Sequence, residues 1–127
     1  LKDDNKVYEK LGELIAEWGK PFTGESGYSN LGAVVGATYP EELKILREKM
    51  PNTYFLIPGY GFQGGSAEDT AYGFNKDGLG AIINSARGII FAYLKKPWSQ
   101  KFDEYDYAEA ARAAALKMRD EINENIK

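Results

Sequence analysis

Three short apolar runs, each followed by a polar turn and a helical pattern, constrain this chain more than any other feature. They lie at 31–37 (LGAVVGA), 53–57 (TYFLI) and 81–83 (AII). The first shows no alternation of polar and apolar residues, as expected for a strand buried on both faces of a parallel sheet. The second is rich in aromatic and branched residues, which suit a strand. Repeated strand–helix order implies a parallel sheet with right-handed crossovers. Three strands cannot close a barrel, and helices on one face would leave the other face bare. The expected fold is therefore α/β, about three βα units at the edge of a barrel, on a chain of 127 residues that is too short to be the whole barrel.

Helix patterns fill the intervals. Val7, Leu11, Leu14, Ile15 and Trp18 fall on one helical face, with Glu9, Lys10, Glu13 and Glu17 opposite. Trp18 completes that stripe and is expected as a core anchor. Gly19 is placed to supply a left-handed cap, and Pro21 stops continuation. Gly12 costs about 1 kcal/mol against alanine inside a helix, so a close helix–sheet contact is expected there. Thr38 to Glu41 reads as a capping box opening a helix through Leu43, Leu46 and Met50. A short helix capped by Ser66 and Asp69 divides the long stretch 58–80, and 75–78 (NKDG) is a turn. A further short helix is expected at 89–94. The last helix begins near Asp103 or Asp106, with Ala108, Ala111, Ala115, Met118, Ile122 and Ile126 on its packed face.

Composition removes several classes of chemistry. The chain has neither cysteine nor histidine. That excludes thiol catalysis, disulfides and histidine bases within these residues, along with the usual zinc sites. A net charge of -3 offers no broad basic field for nucleic acid or anionic membrane. No apolar run approaches the roughly 20 residues of a membrane span. Metal-ligand spacing is absent. The opening residues carry neither an initiator Met nor a signal-peptide pattern, so a cytoplasmic location and a longer parent chain are expected.

The functional signal is local. An apolar strand ending in Asn84-Ser85-Ala86-Arg87-Gly88 brings a planar cation and a bare backbone N–H to its carboxyl end. Ligand anions sit at that end in parallel sheets and barrels. Arginine grips phosphate bidentately, and glycine admits an oxygen close to the backbone. The preceding strand ends in Pro58-Gly59-Tyr60-Gly61-Phe62-Gln63-Gly64-Gly65, a mobile loop with an apolar cover and an amide. This loop matches G-x-G-x-x-G, but the dinucleotide reading fails. No helix runs by Gly64, and Asp77 sits in a turn before a strand rather than closing one. Carboxylates at 41, 42, 68, 69, 103, 104 and 106 gather at helix starts, where the helix dipole accounts for them.

The stretches GAVVGATYPEELKILREKMPNTYFLIPGYGFQGG and GAIINSARGIIFAY resemble the C-terminal part of the orotidine 5′-phosphate decarboxylase family, in its longer bacterial subfamily. The resemblance runs over nearly all of residues 1–127. It implies a (β/α)8 TIM-type barrel in a homodimer that converts orotidine 5′-phosphate to UMP without a cofactor. The strands here would be the sixth to eighth. Arg87 and the Gly88 N–H would grip the substrate phosphate, Gln63 would close over it from the loop with Gly64, and Pro58 would line the pocket near the base. The family's catalytic lysine and aspartates sit on earlier strands, so no catalytic residue is expected here and this segment alone would be inactive. Where the family often has two serines before the arginine, this chain has Ser85 and Ala86. From the residues alone, two other readings stay open. One is another phosphate-binding barrel enzyme, a sugar-phosphate isomerase or aldolase. The other is a non-catalytic α/β assembly module in which Arg87 makes a structural ion pair.

Overall fold

A computed structural model describes residues 6–61 and 64–126. Strands β1 (Ala33–Val34), β2 (Phe55–Ile57) and β3 (Ala81–Ile83) form one parallel sheet in the order β1-β2-β3. Helices α1 (Val7–Gly19) and α2 (Pro40–Lys49) flank β1 in sequence. Helix α3 (Ala67–Ala71) lies between β2 and β3, and α4 (Ala86–Ile90) and α5 (Tyr107–Asn125) follow.

The register explains which residues are covered. Ala33 pairs with Phe55 and Phe55 with Ala81, while Val34, Leu56 and Ile82 form the adjacent cross-strand row. Successive side chains of a strand point to opposite faces. Phe55 and Ile57 are fully buried against Leu43, Leu46 and Met50 of the α2 segment. The opposite row is open: Val34 is 71%, Leu56 40% and Ile82 59% exposed. The run at 31–37 is thus covered on one face only. β1 is also shorter than the apolar run, covering only Ala33–Val34.

Helix α1 turns a different face inward from the one its stripe suggests. Gly12 and Gly19 are its buried residues, whereas Val7, Leu11 and Trp18 are exposed, Trp18 by 55%. A Cβ on Gly12 would lie 2.8 Å from Leu46 Cδ2, so the close contact is with α2 rather than the sheet. Lys49 reinforces this pairing by reaching Glu13 at 2.7 Å and Glu9 at 3.5 Å. Gly19 keeps a right-handed conformation, and the chain runs on into a 3-10 turn, Lys20–Phe22. Its tight fit against the Ser29 hydroxyl, 2.8 Å from where a Cβ would stand, accounts for that glycine.

Other helix starts divide between expectation and correction. The Ser66–Asp69 capping box forms in both directions. The Thr38 box does not: Tyr39 is the N-cap of α2 without a side-chain bond, because Pro40 takes the first turn. Helix α5 buries Ala110, Ala114, Met118 and Ile122, a row of four-residue steps that excludes the exposed Ala108. Ala110 and Ala114 pack with Ala92, Trp98 and Phe102 in a second small core. The turn at 75–78 is present, with Gly78 at φ 76°.

Candidate phosphate-binding site

The carboxyl ends of β2 and β3 lie side by side. Ile57 pairs with Ile83, and the Asn84 N–H donates to the Ile57 carbonyl at 3.2 Å. The segments leaving the two strands consequently share one small cleft of about 130 Å³, lined by Pro58, Gly59, Tyr60, Asn84, Ser85, Ala86 and Arg87. Two of the residues expected at a phosphate site, Pro58 and Arg87, are brought together here.

Arg87 is exposed and stands in the first turn of α4. That helix begins three residues before the expected one, with Ser85 as N-cap and Gly88 inside the helix. The Ile89 N–H closes the first helical bond, onto the Ser85 carbonyl at 3.0 Å. The N–H groups at the start of a helix lack an intrahelical acceptor, which suits that end to an anion. Gly88 borders an adjoining cavity of about 330 Å³ rather than the small cleft itself. Its lack of a side chain is required, since a Cβ would stand 2.5 Å from Ser85 Oγ.

The glycine-rich loop is pinned at its stem. The Gly61 N–H donates to the Gly65 carbonyl at 2.8 Å, and Tyr60 and Gly65 form an isolated parallel bridge. Gly59, Gly61 and Gly64 all take positive φ (95°, 72° and 92°), a conformation that other residues rarely adopt. Gly64 serves this turn and does not line either cavity. Gln63, and Phe62 beside it, lie outside the described residues.

Tyr60 and Ser85 were not anticipated as site residues. The Ser85 hydroxyl donates to the Tyr60 carbonyl at 2.8 Å, and the Tyr60 phenol donates to Glu121 Oε2 on α5 at 2.5 Å. Burial raises the phenol's pKa above the ordinary tyrosine range, and the bond to the Glu121 carboxylate and its charge raise it further. Tyr60 sat in the sequence as one aromatic among glycines, and no local pattern ties it to Glu121. Asp77 accepts from the Tyr28 hydroxyl and from the Leu79 N–H at 2.9 Å, so its oxygens serve the turn and not a ribose.

Among the described residues, no group of three or more His, Cys, Asp or Glu is placed to hold a metal ion. No helix among them is long and apolar enough to cross a membrane. The cleft can hold a small oxyanion against one guanidinium and the backbone of two strand ends.

Comparison with known proteins agrees with this geometry. No family model matches the chain. Over 94% of its length it is 42% identical to the orotidine 5′-phosphate decarboxylase of Rhodopirellula baltica, and over 98% it is 45% identical to that of Clostridium tetani. It spans about two fifths of those relatives, 40% and 41% of their lengths. Among solved structures, Leishmania donovani OMP decarboxylase superposes on 92% of the chain with a TM-score of 0.62 at 29% identity, and 39% of that protein is covered. The three βα units are thus a portion of a TIM barrel.

Proposed function

We propose, from the chain's 42–45% identity over nearly its whole length to orotidine 5′-phosphate decarboxylases, that it supplies the phosphate-gripping wall of an enzyme that releases CO2 from orotidine 5′-phosphate to give UMP. The observation that carries this reading is the convergence of Pro58–Tyr60 and Asn84–Arg87 in one cleft at the carboxyl ends of adjacent parallel strands. Arg87 holds the phosphate through its guanidinium, with the Gly88 N–H in support. Gln63 and Gly64 belong to the loop that closes over it, and Pro58 faces the base. No cofactor enters.

The chemistry itself falls to residues outside this segment, on the earlier strands of the barrel. The phosphate lies far from the reacting carbon, yet its binding energy lowers the transition-state barrier by closing the loop and ordering the site. Charges in a water-excluded pocket then act at full strength. The same reading makes residues 1–127 the C-terminal part of a single barrel domain, working as a cytoplasmic homodimer.

Ligand protection of the full-length protein tests the proposal. UMP stabilises the folded state in proportion to the logarithm of its concentration above Kd. Ribose 5-phosphate, which lacks the base, gives a much smaller rise in Tm. Equal protection by both redirects the reading to a sugar-phosphate isomerase or aldolase. Protection by neither defeats it.

A further inference from the structure

The root of the glycine-rich loop is fastened on two sides through a single residue. The Tyr60 phenol donates to Glu121 Oε2 at 2.5 Å, and the Tyr60 carbonyl accepts from the Ser85 hydroxyl at 2.8 Å. Glu121 is held in turn by Lys117, whose ammonium lies 3.4 Å from Oε1. Ser85 owes its position to Gly88, because any Cβ there would displace the hydroxyl. Tyr60 and Ser85 border both the small cleft and the adjoining cavity that α5 lines with Lys117 and Glu121, so the contacts run from α5 through Tyr60 and Ser85 to the wall that the cleft shares with Arg87.

Such fastening answers a specific problem. Glycines at 59, 61 and 64 take positive φ, and a glycine loses more conformational freedom than other residues when its backbone is fixed. A loop that orders only when ligand arrives subtracts its ordering entropy from the binding energy. A tyrosine phenol is protonated throughout the neutral range in any case, and burial raises its pKa further, so it remains a donor. The carboxylate acceptor makes the bond charge-assisted and stronger than a neutral one. Helix α5 is also seated by Ala110 and Ala114 against Ala92, so its packing does not depend on Tyr60.

We propose that Tyr60 and Glu121 are a positioning pair that sets the root of the glycine-rich loop against the Arg87 turn, preforming the cleft for a phosphate monoester. This deepens the phosphate-site reading above and rests on it.

Steady-state kinetics on the full-length protein provide the test, with Arg87→Ala as reference and the unphosphorylated nucleoside as second substrate. Tyr60→Phe keeps the ring and removes the hydroxyl. KM for the phosphorylated substrate is expected to rise about tenfold, kcat to stay within about twofold, and turnover of the nucleoside to stay unchanged. Glu121→Gln retains an acceptor oxygen and loses the charge, so its KM rises less, by about threefold. The double variant resembles Tyr60→Phe alone, as expected for two ends of one interaction. Unchanged KM in Tyr60→Phe, where Arg87→Ala raises it, overturns the positioning role and leaves the phosphate site standing. Equal losses on both substrates, in step with a lowered Tm, reduce the pair to a structural role and also overturn it. If Arg87→Ala leaves the phosphorylated substrate unaffected, the phosphate reading fails first and takes the pair with it. Should Tyr60→Phe not fold, the KM of Glu121→Gln against the same reference decides.

Discussion

The Arg47 guanidinium lies 4.0 Å above the ring of Phe55, buried to 6% exposure beneath the amino-terminal ends of the strands. No carboxylate pairs with it among the described contacts. Instead it donates to four carbonyls: Gly73 at 3.1 Å, Gly80 at 2.9 Å, Thr53 at 2.7 Å, and Met50. One side chain therefore ties the end of α2 to the residues that lead into β2 and β3 and to the turn after α3. Burial lowers its pKa, while the nearby Asp77 and Tyr28 oppose that shift. The barrel thus has two distinct ends here. Arg47 organises the amino-terminal end, and Arg87 stands at the carboxyl-terminal end, where barrels place their sites.

Replacing Arg47 by Met keeps much of the volume but strands buried carbonyls without donors. Leaving a buried carbonyl without a donor costs about 1–3 kcal/mol, so the loss over these partners should be about 3–5 kcal/mol. In the full-length protein that corresponds to a Tm lower by roughly 6–20 °C. Substrate KM should hold at temperatures where the variant is folded, because the change is remote from the cleft. A Tm within 2 °C of the parent (about 0.5–1 kcal/mol) would count against the clamp.

Gly80 extends this argument to the backbone. It has φ 92°, and a Cβ would stand 2.9 Å from both Arg47 Nη1 and Asn75 Nδ2. Gly80→Ala therefore combines a disfavoured dihedral with displacement of the guanidinium, for a loss of about 2–4 kcal/mol. The two changes share one interaction, so the Gly80→Ala, Arg47→Met double variant should lose less than the sum. Denaturant melts of the four proteins measure the coupling, and strict additivity would contradict it.

What the sequence disclosed and what it hid divide along physical lines. The Ser66–Asp69 box and the β3 strand were readable because each is written in nearby residues, whereas α4 starts three residues before the apolar run that suggested it. The buried face of α1 was not. A stripe of Val7, Leu11 and Trp18 says that a face is apolar, not that a neighbour within this chain covers it. The Thr38 box lost to Pro40, whose fixed φ sets the helix start one residue later. Arg47 escaped notice because its partners are carbonyls, which every residue possesses. The Tyr60–Glu121 bond spans 61 positions and carries no local signature.

If Arg87 grips the phosphate as proposed, Arg87→Ala removes a charge-assisted contact. In the full-length enzyme, kcat/KM on orotidine 5′-phosphate should fall by about 30- to 1000-fold, equivalent to about 2–4 kcal/mol. The unphosphorylated nucleoside, which never used the contact, should be turned over as before. A fall of equal size on both substrates would remove Arg87 from the phosphate.

The α3 cap carries a pH dependence of definite sign. Bonds from the Ser66 hydroxyl, and then the Ser66 N–H, lower the Asp69 pKa below its ordinary 3.8. A depressed carboxylate pKa contributes stability above the unfolded value and loses it as pH falls through the folded value. Asp69→Asn should therefore differ from the parent by a constant Tm at neutral pH, and the gap should narrow below about pH 4. A gap that stays constant down to pH 2, within the range where both proteins fold, would mean the cap does not titrate.

The open row Val34, Leu56 and Ile82 makes a prediction about residues 1–127 expressed alone. In a closed barrel this row faces the interior, where side chains from other strands fill the space. Here it meets solvent, and α1 and β1 border a further apolar cleft of about 380 Å³ that includes Tyr8, Leu11, Ile15 and Val34. Leaving such side chains uncovered forfeits about 1.5–3 kcal/mol each, comparable in sum with the net stability of a whole domain. Among the described residues the outer edges of β1 and β3 have no strand partner, and such edges invite association with other chains. The isolated segment should therefore self-associate, melt without a sharp cooperative transition, and release no CO2 from orotidine 5′-phosphate. Light scattering, calorimetry and a CO2-release assay read these three outcomes separately. A monodisperse monomer with a sharp transition would show that the bare row needs no partner, and measurable turnover would show that the chemistry does not depend on the other strands.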